Sequence, residues 1–250
     1  MIRLPLNALS VACLVASLLA VPANAGTLNL TTPSGLVPGD HFRFIFVTGT
    51  TTQATSSDIN TYDNFVRNSV LSLYGPVTYG GIPITNWAAV VSTSTVSAKD
   101  HLGGYSSSVS VWQTTTGGSE KVASSLTTGT GGLWSNLLLP GTFLYKQLDG
   151  SFSNYTNVWT GSAADGTVGL LPMGSSPNVT IGHTHTNGAW LYTNPPGSAA
   201  ATNSYPLFAV SPELVVPGAS VPEIDPAGMG SVLGLVCGAL GLLERRRVRS

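Results

Sequence analysis

The chain has 250 residues, of which only 8% are charged, and its formal net charge is −1 at pH 7. Residues 26–220 contain five basic and eight acidic side chains, so they offer no basic patch of the kind that holds a nucleic acid. Both cysteines, Cys13 and Cys237, lie outside this stretch. That excludes a disulfide, a thiolate zinc site and cysteine catalysis within it.

The first 25 residues have the pattern of a secretory signal peptide. Arg3 precedes an apolar stretch, and Ala23 and Ala25 place small residues before Gly26, as signal peptidase requires. We predict cleavage after Ala25, which leaves residues 26–216 as an exported globular domain. An uncleaved N-terminal anchor is the alternative.

Two elements are predicted near the start of this domain. Residues 41–47 alternate in polarity and place three phenylalanines on one face of a strand. Residues 57–73 have apolar side chains at helical spacing, with either Ser57 or Asp58 as the N-cap and Gly75 as the stop. The sequence therefore predicts one main helix over about 57–73.

The rest of the domain consists of short apolar segments between glycine and asparagine turns. These segments predict a short helical turn over 96–102 and a hairpin around Gly117. Further strands are predicted at 87–91, 143–147, 158–159, 189–192 and 207–210. The predicted fold class is α+β, rich in strands and loops.

Residues 217–221 indicate a linker, and residues 222–250 a C-terminal tail. In the tail, residues 228–243 form an apolar segment of 16 residues, about 24 Å long as a helix. This is a marginal span for a hydrocarbon core of about 30 Å. The arginines that follow would stay on the cytoplasmic side, which predicts a single membrane helix with the domain outside. The first three of these arginines are Arg245, Arg246 and Arg247.

Val221, Pro222 and Glu223 precede the apolar segment and the arginine cluster, on a chain with a signal peptide pattern. By this ordered set of features the tail resembles the PEP-CTERM sorting signal of Gram-negative bacteria. Ile224 stands where that signal usually has a second proline. The resemblance implies that a membrane-embedded exosortase recognises the tail, cuts it near Pro222 and passes the protein from the inner membrane to the cell surface or the exterior. Retention of the tail as an anchor is the alternative.

Short motifs recur through the domain at residues 44–47, 96–100, 158–161, 165–167, 188–190 and 206–211. By these motifs, residues from about 40 to 215 resemble the endostatin-like branch of the C-type-lectin-like fold. The resemblance implies an α+β domain whose loop-rich second half is closed by paired strands. The disulfides common in that fold are absent from the domain, and so are the Glu-Pro-Asn and Trp-Asn-Asp motifs of calcium-dependent lectins. Sugar binding therefore does not follow from the fold.

Two segments contain residues that could bind a metal ion. His183 and His185 lie on one side of an extended segment, a spacing that can seed a metal site, but the sequence near them supplies no third ligand. Asp149 opens a short oxygen-rich loop that could hold calcium. The favoured alternatives are two solvated histidines and an ordinary Asp-Gly turn, so we expect no metal or other cofactor.

Three tryptophans are candidates for stacking on sugar rings, provided that they are exposed. Trp159 and Trp190 lie in predicted strands, which favours burial in the core. Trp134 lies in a glycine-rich loop and is the better candidate for exposure.

We expect no enzymatic activity, because the sequence has no nucleophile elbow, zincin helix or phosphate-binding loop. The first functional hypothesis is an exported structural or adhesive protein linked to exopolysaccharide or biofilm. Its processing partners would be signal peptidase and exosortase. The second is a carbohydrate-binding module that uses loops between about 131 and 205. An exposed tryptophan beside a polar groove favours the second hypothesis, whereas burial of all five tryptophans favours the first.

Overall fold

The computed structural model describes residues 26–104, 106–186, 188–193 and 197–218. Described residues up to Val216 belong to one compact unit, and Pro217 and Gly218 belong to a second. The predicted signal peptide and sorting tail, including the membrane helix over 228–243, lie outside the described residues. Among the helices that are described, none is both long enough and apolar enough to cross a membrane.

The described elements are mainly strands, with one long helix. The strands are β1 (Leu28–Leu30), β2 (His41–Val47), β3 (Val77–Tyr79), β4 (Ile82–Pro83), β5 (Ala88–Ala89), β6 (Val109–Thr115), β7 (Gly118–Ala123), β8 (Asn157–Trp159), β9 (Asn178–His183), β10 (Ser198–Ala200), β11 (Phe208–Val210) and β12 (Leu214–Val215). The helices are α1 (Ile59–Tyr74) and α2 (Ala98–His101), and a 3-10 turn covers Leu133–Ser135. The predicted α+β class with one main helix is confirmed.

The described strands form three sheets. The largest has the order β5-β11-β2-β6-β7, and β12 also pairs with β2. β2 runs parallel to β6 and antiparallel to β11 and β12. The smaller sheets have the orders β1-β3-β4 and β10-β9-β8. β2 is therefore the strand on which the beginning, the middle and the end of the domain meet.

β2 has the predicted bounds, and its inner residues are buried on both faces. Phe42, Phe44 and Phe46 pack into one apolar core together with α1. Ile45 and Val47 pack into a second core on the opposite face of the sheet. A central strand covered on both sides needs apolar residues at successive positions, which is why alternation ends after Phe44.

α1 begins and ends close to the predicted positions. Asp58 is the N-cap, and its Oδ1 accepts a hydrogen bond from the Asn60 backbone N–H at 3.0 Å. Gly75 ends the helix with a φ of 67°, and its N–H donates to the Leu71 carbonyl. The predicted apolar face of the helix included Leu73 at its end, but Leu73 is 43% exposed. The buried residues of α1 are Tyr62, Asp63, Val66, Ser69 and Val70.

Two predicted strands do not form. Residues 143–147 are irregular apart from an isolated bridge between Lys146 and Phe152. Residues 189–192 are also irregular, although the Ala189 carbonyl accepts a hydrogen bond from the His183 N–H. Both segments contain buried apolar side chains. Their apolar pattern therefore arises from packing against the core and not from pairing in a sheet.

Candidate functional site

Trp134 is completely buried, so the prediction of its exposure is wrong. Its ring stacks on Trp190, with 6.5 Å between centroids and 28° between planes. The Trp134 ring also lies close to Gly166, where an added Cβ would be only 2.9 Å from Trp134 Cζ3. The glycine-rich sequence just before Trp134 indicated an open loop. Instead, the ring is enclosed, and the absence of a side chain at the distant Gly166 leaves room for it.

The other two candidate tryptophans are also buried, as expected. Trp159 packs edge-on against Tyr205 at 4.9 Å, and its Nε1 donates to the Thr52 carbonyl at 2.9 Å. Trp190 packs edge-on against Phe208 at 5.4 Å. The remaining two, Trp87 and Trp112, are buried as well. Consequently, no tryptophan of this domain presents an open ring face to a sugar.

The predicted metal candidates do not form a metal centre. Among the residues that the structure describes, no three or more histidine, cysteine, aspartate or glutamate side chains cluster closely enough to hold an ion. His183 is half-buried at the end of β9, whereas His185 is exposed. Asp149 Oδ1 accepts a hydrogen bond from the Ser151 N–H at 2.9 Å, which is the geometry of an ordinary Asx turn.

Asp149 belongs to a tight turn over residues 145–153. The Ser153 N–H donates to the Tyr145 carbonyl at 2.7 Å, and the Gln147 N–H donates to the Ser151 carbonyl at 2.9 Å. Gly150 has a φ of 82°, and a Cβ there would lie 2.6 Å from the carbonyl carbon of Thr115. Only glycine fits this position, so the turn is held against the β6–β7 hairpin.

One side of this turn carries a group of stacked rings, which we call the Tyr145 cluster: Tyr145, Lys146, Phe152 and His185. Tyr145 stacks on Phe152, with centroids 5.3 Å apart and planes at 26°, and on His185, at 5.7 Å and 24°. Lys146 Nζ lies 3.2 Å from the centroid of Phe152 and 5.0 Å from that of Tyr145. Phe152 is 62% exposed and Lys146 only 6%, so the cluster combines an open aromatic ring with a lysine whose aliphatic stem is largely covered.

The position of His185 is set by its buried neighbour Thr184. The Thr184 hydroxyl donates to the Tyr155 carbonyl at 2.6 Å, and the Thr184 N–H donates to the Thr156 carbonyl at 2.9 Å. His185 Nδ1 lies 2.6 Å from the same hydroxyl. These contacts bring the segment that follows β9 against the turn over 145–153.

The turn also borders a cleft of about 350 Å³. Its walls are β1 and the β6–β7 hairpin, and Phe44, Leu148 and Asp149 also line it. The volume is at the lower end of the range for small-molecule sites. Asp149 also raises the pKa of Tyr74, although burial of that phenol contributes more to the shift. Asp149 thus belongs to the surroundings of the cleft and of Tyr74.

A buried carboxylate, Asp63, and a half-buried imidazole, His101, have the form of a base and its orienting carboxylate. His101 Nε2 lies 3.0 Å from Asp63 Oδ1, and the Ala89 N–H donates to that same oxygen at 2.9 Å. Arg67 Nη2 lies 3.7 Å from Asp63 Oδ2. The carboxylate therefore joins α1 to α2 and β5, which is a structural function.

Tyr145, Lys146 and Phe152 were not predicted as site residues. The sequence predicted a short strand over 143–147, in which Leu144 and Lys146 are buried while Phe143, Tyr145 and Gln147 are half-buried. The one available signal is Phe152, an aromatic residue within the polar turn sequence Asp-Gly-Ser-Phe-Ser-Asn.

The chain matches no protein-family model and no curated protein. The fold and the site define an α+β domain that carries a tight turn, which contributes to an aromatic and cationic cluster and borders a small cleft. The function is therefore argued from the residues themselves.

Proposed function

We propose that this chain is an exported, exosortase-sorted protein of the cell surface or extracellular matrix of a Gram-negative bacterium. Its role would be structural or adhesive and linked to exopolysaccharide or biofilm. Support for export and sorting comes from the sequence, in which a signal peptide pattern and Val221-Pro222-Glu223 are followed by an apolar segment and arginines.

The observation that carries the structural role is the burial of all five tryptophans. Sugar-binding proteins present flat aromatic faces to their ligands, whereas the indole rings here stabilise two cores on either side of β2. The domain reaches this packing without cysteine between residues 26 and 220. Such a domain keeps its fold in either a reducing or an oxidising environment.

We also propose the finer classification of the fold, an endostatin-like member of the C-type-lectin-like group. It is supported by the way in which the domain closes on itself. β11 and β12, which come last in the described chain, both pair antiparallel with β2. α1 follows β2, and long irregular segments separate the later strands. This order agrees with the order of motifs that led to the resemblance.

The alternative function, a carbohydrate-binding module, is favoured by one specific observation. The Tyr145 cluster is built from loops between residues 131 and 205, the region from which the sequence analysis expected binding. Phe152 is 62% exposed there, so tyrosine, phenylalanine and histidine rings offer the aromatic surface for which the tryptophans had been candidates.

The sorting proposal can be tested by fractionation of a Gram-negative host that has an exosortase, alongside the same host without it. We expect the full-length protein to reach the surface or matrix fraction in the first host and to accumulate in the inner membrane in the second. Pro222→Ala should accumulate in the membrane as well. The matched control Pro217→Ala, in the linker, should be sorted normally. Identical distribution in the two hosts would contradict the proposal.

A further inference from the structure

Lys146 is a basic residue that lies against aromatic rings. The residue is more than nine-tenths buried, and an ammonium group carries three hydrogen-bond donors. Within the described part of the chain its partners are the ring faces of Phe152 and Tyr145, without a carboxylate or carbonyl acceptor. The described polar atoms that are fully buried without a partner do not include Lys146 Nζ, so the ammonium group reaches solvent and a ligand can approach it.

Two other basic residues satisfy their charge differently. Arg67 lies 3.7 Å from the Asp63 carboxylate. Arg43 Nη1 donates to the Ser211 carbonyl at 3.0 Å, and Glu213 interacts with its charge. The difference matters because residues 26–220 carry more acidic than basic side chains. Because Lys146 has no acceptor within the described part of the chain, its ammonium group can pair with an anionic group of a ligand.

The surroundings of Lys146 indicate what that ligand looks like. Phe152 offers an open ring, suited to the apolar face of a flat, saturated ring. His185 lies at the other end of the stack and is exposed. Ser151, Asn154 and Tyr155 are exposed beside Phe152 in the chain and provide hydroxyl and amide groups. An apolar face, an anion and a rim of hydroxyl groups occur together in a carboxylated sugar.

We propose that the Tyr145 cluster binds carboxylated sugar units of an acidic polysaccharide, with the carboxylate on Lys146 and the sugar ring on Phe152. This inference rests on the carbohydrate-binding function proposed above as the alternative. Acidic peptides share the charge but lack the flat ring with a hydroxyl rim, so they serve as a competing outcome.

The test uses the full-length chain in detergent micelles and titration calorimetry with three hexamers: polygalacturonate, neutral cello-oligosaccharide and oligoglutamate. We expect binding of the galacturonate hexamer at least about tenfold tighter than that of either other hexamer. Binding should weaken as salt is raised, because a charge pair contributes. Equal binding of the neutral hexamer would overturn the charge assignment, and equal binding of oligoglutamate would overturn the sugar assignment. Absence of binding to all three would overturn the inference together with the alternative function, while the fractionation test of sorting would be unaffected.

Variants locate the site. Lys146→Met keeps the length of the side chain and removes its charge, and it should weaken galacturonate binding at least about tenfold. The matched control is Lys121→Met, because Lys121 Nζ also lies over a ring, 5.0 Å from the centroid of Trp112; it should bind within about twofold of the unaltered chain. Phe152→Ala changes an exposed residue and tests the same site should Lys146→Met fail to fold. Unchanged binding by Phe152→Ala would overturn the assignment.

Discussion

The indole ring of Trp134 lies directly against the α-carbon of Gly166. An added Cβ at Gly166 would lie 2.9 Å from Trp134 Cζ3, and the residue has a φ of 77°. The absence of a side chain at Gly166 thus allows Trp134 to be buried and to stack on Trp190.

We expect Gly166→Ala to destabilise the domain by about 2 to 4 kcal/mol, because it adds a clash to the strain of a positive φ. The matched control is Gly141→Ala, since Gly141 has a φ of 81° and open space around the position of a Cβ. The control should cost only about 1 to 2 kcal/mol. Urea unfolding of both variants measures the difference, and equal losses would show that the contact with Trp134 contributes nothing.

Asn136 joins two loops through its side chain. Its Nδ2 donates to the Tyr192 carbonyl at 2.8 Å and the Gly188 carbonyl at 3.2 Å, while its Oδ1 accepts from the Leu191 N–H at 3.1 Å. Its φ of 55° is the only positive value of a non-glycine residue within the described ranges. We expect Asn136→Ala to cost about 2 to 4 kcal/mol, because part-buried backbone groups lose their partners and alanine is strained at a positive φ.

Asn136→Gly separates the two contributions at this position. Glycine removes the same hydrogen bonds but adopts a positive φ without strain. We therefore expect a smaller loss for Asn136→Gly than for Asn136→Ala, by about 1 kcal/mol. A glycine variant as stable as the unaltered chain in thermal unfolding would show that the hydrogen bonds contribute no net stability.

Tyr62 makes the stability of the domain depend on alkaline pH. Burial raises the pKa of its phenol to about 12, although the hydrogen bond to Ser56 acts in the opposite direction. The folded state therefore holds this proton more tightly than the unfolded state, whose pKa is near 10. Stability is fully retained below pH 10 and falls as the pH rises toward 12.

Tyr62→Phe should lower stability near neutral pH, because the hydroxyl also accepts a hydrogen bond from the Ser56 N–H at 3.0 Å. The loss should be about 1 kcal/mol. Between pH 10 and 12 the variant should lose less stability than the unaltered chain in chemical unfolding. Some alkaline loss will remain in the variant, since burial also raises the pKa of Tyr74. Parallel curves for both proteins would contradict the assignment.

The elements that the sequence predicts best are those whose local signals agree with their packing. β2 and α1 combine periodic apolar residues with clear end signals, and both form close to the predicted positions. β9 was missed because its sequence includes Gly182, a residue that usually weakens a strand. The glycine is needed there because a Cβ would overlap the Trp190 carbonyl, a contact between distant segments that local patterns do not contain.

The candidate site could not be predicted for a related reason. Tyr145, Phe152 and His185 come from two chain segments that meet only through tertiary contacts. The alternating residues 143–147 have the period of a strand, but the isolated bridge from Lys146 to Phe152 closes a short turn instead. Trp134 is the opposite case, a residue that was a site candidate but is buried. Its burial depends on the space at Gly166, a tertiary contact that the local sequence does not contain.

The central claim is that this chain is exported and then released by processing of its tail. The most direct measurement is the intact mass of the protein recovered from the surface or matrix of an exosortase-containing Gram-negative host. We predict the mass of a chain that runs from Gly26 to near Pro222, and accumulation of the longer form in the host without exosortase. Recovery from the surface of a chain that still extends to Ser250, in both hosts alike, would contradict it.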